Sequence, residues 1–281
     1  MRSSFPMRHA PTLATVATLA ALAAGARGAA ADPAVTRLFT APTAWMTPGG
    51  ALTASAALEQ SVEYRGDGAV MVGYGLGGLA SIELGADTEI RTCTQCSEPA
   101  NARWFPRAAF RIGAREDAWF RGMPALALGL KNTFGAPGFG PFERPRVTEA
   151  YVVASRTVGR VRMHGGAMAI AAAFGDLELR PVLRPIAGFE LRPPGLPRST
   201  FVGDVAWTTR LEFEPEPSER RGPRLEMMVG GGARYQFFDW ANIELGVRVP
   251  REEGLANGRV MVRLNGVWEL SSPGKRRLEL R

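Results

Sequence analysis

Two groups of residues in this chain have the makings of a reactive site. The first is His164, the only histidine beyond position 9. A serine nucleophile needs a general base within hydrogen-bond reach, and the nearest serine is Ser155, in the stretch VVASRTV. Alternation along 147–158 places Ser155 on the face opposite Arg156, whereas His164 shares a side with Arg160 and Arg162. The expected geometry therefore keeps Ser155 and His164 apart, and His164 reads as a hydrogen-bonded filler of a polar interior. The second group is Cys93 and Cys96, the only cysteines. In an exported chain a C-x-x-C pair closes a small disulfide loop. A redox site would need a βαβ context and zinc two further ligands, and neither is present nearby. No metal or cofactor is expected. The run GYGLGG (73–78) lacks the helix and lysine of a phosphate loop and reads as a turn.

The remaining chemistry lies in the charges. From 180 to 192, Arg180, Val182, Arg184, Ile186, Gly188, Glu190 and Arg192 fall on one side. Pro181, Leu183, Pro185, Ala187, Phe189 and Leu191 fall on the other. A strand sends successive side chains to opposite faces, so this is a ribbon with one charged and one apolar side. Extended along the chain, the rule assigns Arg107, Arg111, Arg156, Arg160, Arg162, His164, Arg180, Arg184, Arg210, Arg234, Arg248 and Arg263 to the polar side. Glu83, Asp87, Glu89, Glu190, Asp204, Glu212, Glu226, Glu244 and Glu269 join them. Such a surface either lines a pore that selects anions or fills an interior with Arg–carboxylate ladders, since buried charges must be paired.

The elements that would position these residues are twelve strands, at about 51–59, 69–75, 79–91, 106–115, 123–134, 147–158, 161–173, 181–192, 200–214, 225–236, 241–249 and 259–270. Connections after the second, sixth and tenth are tight. Those after the first, third, fifth, ninth and eleventh are longer and rich in Gly, Pro or polar residues. Short turns at one end and long loops at the other, with an even strand count, describe an outer-membrane barrel. Residues 1–31 read as a secretory signal, with Arg2 and Arg8 before a short apolar run and small residues at 29–31. Residues 32–281 form one barrel domain, with 32–50 as a lead. After the signal no apolar run approaches the 18 residues of a membrane helix. The mean hydropathy of −0.06 is no objection, because alternating strands average lipid-facing against lumen-facing residues. The net charge of +7 is scattered and mixed with acids, which gives nucleic-acid binding little support.

The chain as a whole resembles Gram-negative outer-membrane β-barrel proteins. The lead LFTAPTAWMTPGGAL (38–52) resembles the P-T-A…G-x-L opening of YjbH-type exopolysaccharide-associated barrels. That resemblance implies a link to envelope polysaccharide or outer-membrane transport and carries over no functional residue. The sequence is thus read as an all-β, up-and-down antiparallel transmembrane barrel in the outer membrane, a passive pore or envelope-associated binding protein. Its expected partners are membrane lipid and either small anionic solutes or envelope polysaccharide. Alternatives are a plugged structural barrel, a lipid-acting enzyme using His164, and, at the level of fold, a soluble β-sandwich.

Overall fold

The computed structural model describes residues 36–61, 67–87, 104–135, 146–174, 177–210, 223–252, 254–255 and 258–270. The expected signal (1–31), Cys93, Cys96, Glu89, Glu212 and the tail beyond 270 lie outside them.

Twelve strands form one closed antiparallel barrel in which each pairs with its sequence neighbours and β1 pairs with β12. They are β1 (Ala51–Ser61), β2 (Asp67–Leu76), β3 (Ala80–Asp87), β4 (Phe105–Ala114), β5 (Ala125–Thr133), β6 (Arg146–Val158), β7 (Val161–Phe174), β8 (Leu177–Leu191), β9 (Ser199–Arg210), β10 (Arg224–Phe238), β11 (Ala241–Pro250) and β12 (Arg259–Glu269). All-next-neighbour pairing follows from hairpin connections, and closure removes the sheet edges. The tight turns at 77–79, 159–160 and 239–240 share one end with the start of β1 and the end of β12. One connection departs from the expected rhythm: only two residues join β7 to β8 at the long-loop end, where these two long strands meet.

The outer surface is apolar. Leu58, Leu84, Leu128, Leu130, Leu183, Leu245 and Val260 are all more than half exposed on outward positions of their strands. At the short-turn end Phe237, Phe238, Trp240 and Trp268 form a chain of ring contacts with centroids 5.0, 5.3 and 5.5 Å apart. The core is inverted with respect to a soluble protein, because the buried residues line the inside of the cylinder and include many charged side chains.

Residues 36–50 do not precede the barrel as a free lead; they enter its lumen. The chain rises from Gly50, whose amide donates to the Gly75 carbonyl at the short-turn end. It then folds back as a small hairpin in which the Thr43 amide donates to Thr36 and Arg37 bridges to Pro42. Leu38 and Phe39 at its tip are 0 % and 1 % exposed. The wall opposite them is glycine: a Cβ at Gly188 would overlap Leu38, and one at Gly232 or Gly246 would overlap the Phe39 ring. Gly230 and Gly232 thus help make the socket for an aromatic side chain.

Filling that socket is the expected way to dislodge the segment. Gly246→Leu leaves the outer wall intact but should expel Phe39, making the residues around it cleavable by protease while the barrel keeps its heat-modifiable gel mobility. Phe39→Ala should do the same more weakly, with a loss of about 3–5 kcal/mol of docking energy.

Candidate functional site: the plugged, charged lumen

The side chains that hold the hairpin come from strands far apart in sequence. Asp204 on β9 accepts the amides of Thr40 and Ala41 at 2.5 and 2.6 Å through one carboxylate oxygen. Arg263 on β12 donates to the carbonyls of Leu38 and Phe39 at 2.6 and 3.0 Å, and more distantly to that of Arg37 at 3.5 Å. Arg111 on β4 donates to the carbonyls of Thr36 and Trp45 at 3.2 and 3.1 Å. These contacts fall on backbone atoms, whose hydrogen-bonding groups would otherwise be orphaned in a dry interior.

Around the hairpin the wall charges are paired. Arg107 meets Asp87 at 2.9 Å, Arg111 meets Glu83 at 3.2 Å, and Lys131 meets Glu149 at 2.5 Å. Glu59 lies 2.7 Å from Arg248 and 3.4 Å from Arg259. Glu244 takes Arg234 at 2.6 Å and Arg263 at 3.0 Å, and Arg234 reaches on to Glu190 at 2.9 Å. Asn265 donates to Asn242 at 2.8 Å. Removing one member of such a buried pair costs ~3–5 kcal/mol, because the other charge is left uncompensated.

Of the residues expected to line the lumen, Asp87, Arg107, Arg111, His164, Glu190, Asp204, Glu226, Arg234, Glu244, Arg248 and Arg263 are buried within it. Arg162 and Arg184 sit half-buried on the inward face. Arg210 ends β9, and its side chain lies outside the described residues. Three assignments are corrected. Arg160 is the turn residue of the β6–β7 hairpin beside left-handed Gly159 (φ 59°), and it is exposed. Arg180 is exposed because the β7–β8 register slips between Ile170 and Ala172, which pair with Val182 and Leu179, so strict alternation fails there. Arg156 points away from the lumen and pairs with Glu116 and Asp117 in the β4–β5 connection, at 3.2 and 2.9 Å. Its hydrogen bond, with the amide of Gly122, holds the Asp117 carboxyl below the usual range.

The same one-residue error concealed the most chemically suggestive contact. Ser155 faces inward and is the direct register partner of His164. Its hydroxyl lies 2.7 Å from His164 Nδ1, and His164 Nε2 lies 3.2 Å from Glu190. Serine, imidazole and carboxylate stand in line, against the expectation that serine and histidine are kept apart. Yet the hydroxyl oxygen accepts the Ala44 amide of the hairpin at 3.0 Å, and all three side chains are buried. In this arrangement the serine oxygen is one of the groups that anchor the hairpin.

Sequence reasoning missed Glu59, Lys131 and Glu149. Lys131 is a lone charge on a face shared with Ala125, Ala127 and Gly129, Glu59 follows Ala51, Thr53, Ser55 and Ala57 on its face, and Glu149 stands between Val147 and Tyr151 on its own.

No family model matches the chain, and no curated protein matches it. Among solved structures, KdgM porin covers 76 % of this chain and 98 % of its own, at 7 % identity and a TM-score of 0.49. An outer membrane channel from Pseudomonas putida F1 covers 79 % of this chain and 96 % of its own, at 12 % identity and a TM-score of 0.48. The translocator domain of the autotransporter NalP from Neisseria meningitidis covers 78 % and 87 %, at 12 % identity and a TM-score of 0.39. These are likenesses of barrel shape. None of the matches concerns the polysaccharide-associated resemblance of residues 38–52.

Two outcomes follow from the anchoring geometry. Asp204→Asn replaces a charged acceptor of two amides with a neutral one and should weaken hairpin docking by roughly 1.5–3 kcal/mol, read as faster hydrogen exchange at Thr40 and Ala41. A fluorophosphonate probe should leave Ser155 unlabelled in the intact chain; stoichiometric labelling would show that the hydroxyl is available as a nucleophile.

Proposed function

We propose that this chain is an outer-membrane barrel, exported by its 1–31 leader and held shut by its own N-terminal segment, a passage that conducts only when residues 36–47 leave the lumen. The observation that carries this reading is the ligation of the hairpin backbone by Asp204, Arg263 and Arg111. The apolar side chains of the segment, Leu38, Phe39 and Met46, pack in one buried cluster with wall residues such as Val153, Ile170 and Met261. Its polar backbone, by contrast, is met by charged wall groups, which water or a polar solute could also satisfy once the segment departs.

Membrane placement is supported by the largely apolar outer belt and by the aromatic cluster at the short-turn end, where an interface girdle belongs. In hydrocarbon every backbone group must be satisfied internally, and a closed barrel does this. Closure of the lumen is supported by the space left inside. Two cavities beside the hairpin, lined by described residues, measure about 50 and 30 Å³. At ~10–15 Å³ per water, each holds only a few water molecules. Neither admits a sugar or a hydrated organic anion.

Planar-bilayer recording of the refolded protein tests this reading. The intact chain should be silent or open rarely, and a chain lacking residues 36–47 should show discrete conductance steps. The full-length double variant Phe39→Ala, Asp204→Asn gives an independent route to the same opening. If both fold into heat-modifiable barrels and both stay silent, the passage reading is wrong and the barrel is a filled structural one.

A further inference from the structure

β8 and β9 are zipped along only part of their length. Among the described residues, Ala187 to Leu191 pair with Val205 to Phe201, and the ladder stops there, although β8 has 15 residues and β9 has 12. On its other edge β8 pairs with β7 along most of its length. The open half of the seam faces the long-loop end and contains Pro181 and Pro185. The Pro185 carbonyl accepts the indole N–H of Trp207 across the gap at 3.1 Å, so it points toward β9. The N and C=O of one strand residue point to the same side, so the N–H that Pro185 lacks is missing on the β9 edge. The ladder cannot be completed at that position, and side chains close the gap instead. The Arg184 guanidinium lies 4.8 Å from the Trp207 ring, and Leu179 and Trp207 both pack against the buried core.

What lies behind the gap gives it a chemistry. Trp207 and Thr208 line the smaller cavity, whose other walls carry Arg37, Arg107, Arg111 and Lys131 against Glu83 and Glu149, a set that is basic on balance. Leu183, on the open stretch of β8, is 70 % exposed on the outer face. The path thus runs from an apolar lip, past one indole, to a basic pocket.

We propose that the loop-side half of the β8–β9 seam is a lateral portal with Trp207 as its door, admitting the anionic head of an amphiphile from the bilayer while its acyl chain stays outside. The shared chemistry is an acyl chain bearing a carboxylate or phosphate. The cavity at about 30 Å³ is too small for such a head while Trp207 is in place, so entry requires the indole to swing outward and give up its bond to Pro185. This inference rests on the membrane placement proposed above but not on conduction along the barrel axis.

The test uses the full chain in nanodiscs, with stearate carrying a nitroxide near its carboxylate as a quencher of tryptophan fluorescence. Quenching should include a saturable component that is absent from Trp207→Phe, with the acid binding about tenfold tighter than its methyl ester, since charge-assisted bonds to guanidinium are lost in the ester. Pro185→Val, which restores the missing donor and lets the ladder extend, should weaken that component several-fold while keeping the barrel heat-modifiable. Phosphatidic acid labelled in the same way separates a phospholipid from a free fatty acid as the better ligand. Equal quenching in Trp207→Phe, or an ester that binds as well as the acid, overturns the portal alone. A folded chain that does not enter nanodiscs overturns the membrane placement and the portal together.

Discussion

A chain segment threaded through a dry cylinder brings with it a row of amides and carbonyls that must be satisfied, and the interior of this barrel is organised around that demand. Eight strands close on a space that side chains alone just fill; twelve close on a wider one. The excess is taken up by residues 36–50. Once an extended strand of backbone occupies the axis, its neighbours are constrained. Acceptors must stand opposite its amides, which Asp204 and Ser155 provide, and donors opposite its carbonyls, which Arg263 and Arg111 provide. Where its bulk is greatest, at Leu38 and Phe39, the wall must recede to glycine.

The wall charges follow from the same constraint. Asp204 and Arg263 can hold backbone only if their own charge is tolerated in a low-dielectric interior, and an isolated ion there is costly. Arg263 is balanced by Glu244, which also takes Arg234, which in turn reaches Glu190 and so the His164–Ser155 contact. A ligand to the hairpin at Arg263 is thereby connected across β11, β10, β8 and β7 to another ligand at Ser155. Arginine suits this chain of contacts because one planar guanidinium can bridge two carboxylates or divide itself between a carboxylate and carbonyls.

The barrel itself was legible in the sequence because its signal is local. Alternation such as Ile243, Leu245 and Val247 against Asn242, Glu244 and Arg248 needs no knowledge of the partner strand. Eleven of the expected lumen residues are buried inside on that basis alone. The failures have two origins. The slip between Ile170 and Ala172 turned Arg180 outward, because parity holds only within an uninterrupted ladder. The β6 ladder is unbroken, and Ser155 and Arg156 were exchanged because charge was taken as the mark of the inward face. The hairpin was not legible at all. Residues 36–50 have no periodicity, and their partners stand 66 to 226 residues away.

Two closures of unlike strength result. The axial one is held by charged groups: Asp204 on two amides, Arg263 on the carbonyls of the hairpin tip, and Arg111 on two more, each bond of a kind worth ~1.5–3 kcal/mol. The lateral one, at the open half of the β8–β9 seam, is held by the packing of Leu179 and Trp207 on the core, with one neutral bond from Trp207 to Pro185 and one cation–π contact with Arg184. The last two are worth about 0.5–1.5 and 0.5–2 kcal/mol. Thermal opening therefore falls first on the seam, where a proline has already removed the ladder that would resist it. Axial opening instead requires several charged contacts to be lost together, which calls for a pull on the N-terminal chain or a competitor for Arg263 and Arg111. The barrel is thus stiff along its axis and weak in its wall, and the weak place lies beside its basic pocket.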